Sequence, residues 1–250
     1  AKTTDTDIVG PSWASIKASI FVPISAIAVA PGNSDIICVG HNNGDVYMTI
    51  NGTSVSPTWT QVDTNLPGLP NRYVTRITID QNDNNKVYVT FGGFSPDNVW
   101  VTTNGGTSWT DITGTGLTGL PDLPVRSLVI NPTNSNWLYV GTELGVFASE
   151  DGGATWGLPH DGPTNTSVDE LFWMNSTLVA ATHGRGLFKS GAAPVATSTI
   201  YLPLVLKNYP PPPSPLVNGN FESGSGVGWS ESSTHGWPIV INSGFPSGVT

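Results

Sequence analysis

Lysine and arginine are scarce in this 250-residue chain. Nine of them stand against eighteen aspartates and glutamates, for a formal net charge of −9. Such a surface repels a phosphate backbone, and no basic cluster breaks the pattern, so nucleic acids and anionic membrane surfaces are excluded as partners. Charge of either sign is sparse, 11% overall, whereas glycine (29) and proline (21) are abundant. That mixture argues against a helical bundle and against a charged disordered chain, and it fits an all-β protein with many turns. One cysteine, Cys38, leaves no internal disulfide framework and no cysteine-based metal site. Its apolar neighbours Ile36, Ile37 and Val39 read as the surroundings of a buried, inert thiol. The four histidines lack metal-ligand spacing, and no Gly-rich loop runs from a strand into a helix, so neither a metal nor a cofactor is expected. No apolar run approaches the roughly 20 residues of a membrane-spanning helix, and no signal peptide is recognised. The opening residues, Ala1-Lys2-Thr3-Thr4-Asp5, read as the interior of something longer, which predicts a fragment or a processed product.

What the chain does have is a ladder of tryptophans. Trp13, Trp59, Trp109 and Trp156 are separated by 46, 50 and 47 residues, each preceded by Ser or Thr. A fixed period of that size marks one supersecondary unit copied several times. Alternating segments precede three of these tryptophans: Ala26–Pro31, Arg76–Asp80 and Ser127–Pro132. Each leads through an Asn/Asp/Ser turn into a second strand (36–40, 86–90, 137–141), then through a Gly-rich turn into a third (45–49, 98–102, 145–149). The tryptophan segment is the fourth strand, cut short after Trp156 by Gly157-Leu158-Pro159. A last copy over 168–189 has three strands and no fourth, while 11–16 reads as a fourth strand without its first three.

Four short antiparallel strands per repeat describe a β-propeller blade, which buries its two apolar faces only by stacking between neighbours. The aligned aromatics Tyr47, Trp100, Phe147 and Phe188 are placed to fill the space between blades. A parallel β-solenoid would want shorter and more even coils. The expected fold is therefore all-β, a propeller of about four blades over residues 1–190. Two arrangements are open: a four-bladed ring closed by 11–16 completing 168–189, or a stretch of a larger propeller.

The turns carry a motif. Ser149-Glu150-Asp151-Gly152-Gly153-Ala154-Thr155-Trp156 fits Ser-x-Asp-x-Gly-x-Thr-Trp without a mismatch. The run from Thr102 through Asn104 and Gly106 to Trp109 is a variant, and Thr49 to Trp59, with Asn51, is a degenerate copy with three residues inserted. These segments resemble the Asp-box, or bacterial neuraminidase repeat, of sialidases, xyloglucanase-type glycosidases and sortilin-like propellers. The resemblance implies a structural hairpin at the blade periphery. There Asp151 accepts backbone N–H bonds, the glycines take positive φ and the tryptophan packs beneath. It implies no particular function, because the box occurs on enzymes and on binding proteins.

A glycosidase needs two carboxylates facing one sugar. The acids outside the boxes include Asp45, Asp97, Asp122, Glu143, Asp161, Asp169 and Glu170. Asp169 and Glu170 open the last blade, where a strand start approaches the axis, and are the catalytic candidates. A sialidase would need an arginine triad, and no such signature accompanies Arg72, Arg76, Arg126 and Arg185. Xyloglucanase-type enzymes draw one acid from each of two propellers, more than this chain holds. His183 and Arg185, in a Gly-rich turn, are candidates for ligand contact. The sequons at Asn51, Asn165 and Asn175 matter only in a secreted eukaryotic setting.

After residue 190 the character changes. Residues 191–215 form an Ala/Thr/Pro-rich linker whose Tyr201–Leu206 run resembles a segment common near the ends of secreted Chloroflexota-type bacterial proteins. Residues 216–250 resemble the opening strands of a carbohydrate-binding, jelly-roll-like domain, with Trp229 and Trp237 as candidate sugar-stacking residues. The expected protein is extracellular or at the cell surface. Its expected role is binding of a polysaccharide or cell-surface protein, or scaffolding; the alternative is a fragment of a glycoside hydrolase.

Overall fold

The structure, a computed structural model, describes residues 2–3, 13–65, 67–159 and 162–190. The expected linker and carbohydrate-binding segment, with Tyr201–Leu206, Trp229 and Trp237, lie outside the described residues, as do His160 and Asp161.

Among the described residues, strands β1 (Lys2–Thr3) and β2 (Trp13–Ala14) pair with each other and with no other strand. Blade 1 follows, with β3 (Ile24–Ala30), β4 (Asn33–His41), β5 (Val46–Thr49) and β6 (Thr60–Gln61) antiparallel in chain order. Blade 2 repeats it with β7 (Val74–Ile79), β8 (Val87–Phe91), β9 (Val99–Thr102) and β10 (Thr110–Asp111). Blade 3 comprises β11 (Val125–Asn131), β12 (Asn134–Thr142) and β13 (Gly145–Ser149); its fourth strand shrinks to a bridge between Ala148 and Gly157. The proline at 159, two residues on, cannot continue a ladder. Blade 4 has β14 (Val168–Met174), β15 (Thr177–Thr182) and β16 (Gly186–Ser190). No α-helix occurs among the described residues. The fold is a β-propeller array of four blades.

Two expectations need correction. Among the described residues, 13–16 does not complete the last blade: Trp13–Ala14 pairs with Lys2–Thr3, and β16 pairs with β15 alone. The first three blades also begin two residues before the alternation becomes visible, at Ile24, Val74 and Val125. The reason is a bulge repeated at the same point of all four blades. One extra residue, Ser25, Thr75, Arg126 or Asp169, opposes no residue on the second strand, which scrambles the period of two.

The core lies between blades. One cluster joins Cys38, Val46 and Met48 of blade 1 to Val74, Ile77 and Trp100 of blade 2. A second links Tyr88 and Val99 to Leu128 and Val140, and a third links Tyr139 and Val146 to Val168 and Leu171. Cys38 is fully buried, and that burial pushes its thiol up, away from the reactive thiolate. Polar links tie the first strands together: Thr78 Oγ1 donates to the Leu128 carbonyl at 2.8 Å, and Leu171 N–H donates to Ser127 Oγ at 2.9 Å.

The outer hairpins add a repeated staple. Trp109 Nε1 donates to the Val62 carbonyl at 2.9 Å, and Trp156 Nε1 to the Ile112 carbonyl at 2.7 Å. Both acceptors lie three residues after the preceding tryptophan. Trp59 Nε1 bonds Ile16, three residues after Trp13, in the same way. Each tryptophan thus fastens its blade to the end of the previous outer strand.

Candidate functional site

The hairpins and the inner strand starts both hold conspicuous polar residues. In the third hairpin, Asp151 accepts from Thr155 N at 2.8 Å, Thr155 Oγ1 at 2.6 Å and Ser149 Oγ at 2.8 Å. These bonds, those from Thr155 foremost, lower its pKa to about 2. Gly153 N–H donates to Ser149 Oγ at 2.8 Å, and Gly153 holds φ +95°. In the second hairpin Asn104 takes the place of Asp151, accepting from Ser108 N and Thr102 Oγ1, while Gly106 N–H donates to Thr102 Oγ1. In the first, Asn51 reaches across the insertion to Thr58 N at 2.9 Å. Every strong bond of these side chains closes on its own turn, and Trp109 and Trp156 are buried.

The inner strand starts differ. The repeated bulge swings its extra residue out of the ladder, so that Arg126 on β11 and Asp169 on β14 project from equivalent places on neighbouring blades. Arg126 Nε lies 3.1 Å from Glu143 Oε1, in the turn between β12 and β13, and 3.5 Å from Asp169 Oδ1. Asp169 also accepts from Ser167 Oγ at 3.0 Å and faces His183 Nδ1 at 3.6 Å. One residue beyond the bulge, Arg76 of blade 2 pairs with Glu170 of blade 4, across 94 residues of sequence. Arg126 therefore meets two carboxylates and Arg76 a third, all half-exposed, with His183 exposed beside Asp169. Nε of Arg76 is buried and finds no hydrogen-bond partner among the described residues.

The structure thus brings Asp169 and His183 together, while Glu170, the next residue on β14, pairs with Arg76. Arg185 stands apart from the ion pairs, donating to the Thr164 carbonyl at 3.0 Å. Arg126 and Glu143 complete the group around Asp169, Arg76 completes the pair with Glu170, and sequence reasoning assigned none of the three a site role. The bulge was the missing signal: it gives Ser25, Thr75, Arg126 and Asp169 one register, and Ala26, Arg76, Ser127 and Glu170 the next. A separate triad, Arg72 with Asp97 at 2.8 Å and Asn98 at 2.8 Å, braces the loop between β8 and β9. Buried Asn98 donates to three carbonyls, so this triad is a loop anchor.

Among the described residues, no three His, Cys, Asp or Glu side chains gather to hold a metal ion. Among the same residues, no helix is long and apolar enough to cross a membrane.

No family model matches the chain, and no curated protein matches it in sequence. Solved structures do match its fold. An ancestral GH74 enzyme superposes with a TM-score of 0.52 at 18% identity, over 70% of this chain and 24% of that one. The GH74 xyloglucanase from Xanthomonas campestris gives 0.51 at 15% identity, over 68% and 29%. The extracellular domain of a hybrid two-component system from B. thetaiotaomicron gives 0.50 at 21% identity, over 66% and 20%. The chain spans between a fifth and a third of the length of these proteins, and what it shares with them at such identities is the propeller fold.

Proposed function

We propose that this chain is the binding segment of a larger exported bacterial protein, recognising a polysaccharide at the inner-rim cluster of Arg126, Glu143, Asp169 and His183. One observation carries the reading. Glu143 and Asp169 both close on the Arg126 guanidinium, from its own blade and from the next, and Glu170 closes on Arg76, rather than two of them standing as a free pair on either side of a sugar bond. A network of half-exposed donors and acceptors in fixed array suits sugar hydroxyls, each of which both donates and accepts. The likeness to GH74 folds and to an extracellular domain supports an extracellular carbohydrate setting. It also keeps one rival alive, a glycoside hydrolase fragment with Asp169 or Glu170 as an acid.

Glycan-array binding run beside hydrolysis assays on plant and bacterial polysaccharides separates the two. The expected result is binding without turnover, weakened about tenfold or more by Arg126→Ala and by Asp169→Asn. Turnover that disappears in Asp169→Asn or Glu170→Gln establishes the enzyme instead. A protein ligand in place of a glycan leaves the array blank.

A further inference from the structure

The outer edges of blades 1 and 2 leave a groove of about 310 Å³ between β6 and the hairpin that follows β9. The next junction, between blades 2 and 3, is bridged at the equivalent place. There Lys86 Nζ donates to the Ser135 carbonyl at 3.3 Å, so the side chain crosses from one blade to the next. Ile36 holds the register of Lys86, since each stands one residue before an equivalent pair, Ile37 with Thr49 and Val87 with Thr102. Asn84 holds the register of Ser135. The residues that follow them, Asn85 and Asn136, accept through their carbonyls the N–H of the equivalent hairpin glycines, Gly105 and Gly152. Ile36 has nothing to donate, so the bridge is missing, and Ile36 and Asn84 line the groove instead. Val62 also stands in the place of Ile112 and is one carbon shorter. A Cβ added at Gly106 would come within 3.0 Å of Val62, against 2.6 Å between Gly153 and Ile112.

The lining mixes apolar side chains with neutral polar ones. Met48 is buried and Ile36 half-buried. Ile50 is 77% exposed and takes the place of Thr103 and Glu150, so an apolar side chain stands where the other blades turn a polar one to solvent. With them stand Thr60, Asn84 and Asn85. The side chains of these three form no hydrogen bond with other described residues. Asn51 and Asn104, by contrast, close on their own turns. Among the described residues, no charged side chain lines the groove.

We propose that this groove binds a neutral sugar unit of a polysaccharide chain. The C–H face of a sugar ring packs on Ile36, Met48 and Ile50. Its hydroxyls bond the otherwise unused amides of Asn84 and Asn85 and the Thr60 hydroxyl, which both donate and accept. A sugar bearing a carboxylate or an amine loses hydration here and gains no opposite charge. The volume lies at the small end of ligand clefts, suited to a short stretch of sugar rings and not to a folded partner. The groove belongs to the periphery of blades 1 and 2, whereas Arg126, Glu143, Asp169 and His183 belong to blades 3 and 4. The inference therefore does not rest on what the inner rim binds.

Amide NMR spectra of the full chain test it, titrated with soluble oligosaccharides of glucose, xylose and mannose and, as the charged probe, with oligogalacturonate. At least one neutral oligosaccharide shifts the signals of Gly105, Gly106 and Thr107, and oligogalacturonate leaves them in place. Ile36→Lys, which copies the bridge of the next junction, weakens the neutral ligand about tenfold or more. Asn84→Ala weakens it about fivefold, and reads the site by itself should Ile36→Lys lose its folded spectrum. Groove signals that no neutral oligosaccharide moves overturn the proposal. So do shifts confined to the signals of Arg126 and His183, which leave the inner-rim reading standing. Groove shifts of undiminished affinity in both folded variants overturn it as well, and so does oligogalacturonate binding there as tightly as the neutral sugars.

Discussion

Three outer hairpins answer one physical need in one way, while the inner strand starts of the same blades each carry something different. At the hairpins, Ser149, Thr102 and Thr49 lie two residues before Asp151, Asn104 and Asn51, and a tryptophan reaches back to the previous blade. At the inner rim, one register reads Ser25, Thr75, Arg126, Asp169 and the next reads Ala26, Arg76, Ser127, Glu170. Residue types repeat where the requirement is local, because every hairpin must turn in the same space and staple to the same neighbour. They diverge where the side chain faces a shared surface, because nothing in the blade itself fixes what stands there. The contrast puts the locally closed hydrogen bonds at the periphery and leaves the rim as the place for the proposed recognition.

The contrast can be broken most forcefully at Trp109. Replacing it with alanine removes a buried indole and leaves the Val62 carbonyl without its donor, an expected loss of about 3–5 kcal/mol in denaturant unfolding. Trp59→Ala, at a half-buried position, costs visibly less in the same measurement. Next comes Gly153→Ala. Its φ of +95° and a Cβ only 2.6 Å from Ile112 Cδ1 predict a loss of about 1–3 kcal/mol, with Ile112→Ala giving partial relief of the clash. At the rim, Arg126→Ala should move stability by less than about 1 kcal/mol, as exposed ion pairs do, while removing ligand affinity. A large stability loss there would dissolve the division between periphery and rim.

The smallest effect sharpens the comparison within the periphery. Asp151 has a folded pKa near 2, below its ordinary value of 3.8, so its contribution is fully present above about pH 4 and fades as pH falls towards 2. Asn104, in the equivalent place on blade 2, cannot titrate. Thermal melts between pH 5 and pH 2 should therefore lose part of their acid slope in Asp151→Asn. An unchanged slope would mean that other carboxylates dominate the acid response.

Much of this was legible in the sequence. The blade count, the strand order and the short fourth strand after Trp156 follow from periodicity and turn chemistry, which act over a few residues. The burial of Cys38 followed from its apolar neighbours. The bulges were not legible, because one extra residue erases alternation at the strand start and hides Ile24, Val74 and Val125 from a pattern search. The link from Trp173 Nε1 to the Ile130 carbonyl at 2.7 Å was invisible for another reason: the residue lies in a first strand, outside the tryptophan ladder.

By itself the sequence determined that the chain folds as repeated four-stranded units and that its hairpins are structural, since hydrophobic period and turn residues are short-range instructions. Only the tertiary structure decided which charges meet. Arg76 finds Glu170 two blades away, and Arg126 lies between Glu143 and Asp169, because the stacking of blades brings equivalent registers of separate strands to one rim. It also decided that 13–16 lies beside blade 1, where Ile16 accepts the Trp59 indole, a matter of how sheets stack that no local pattern encodes.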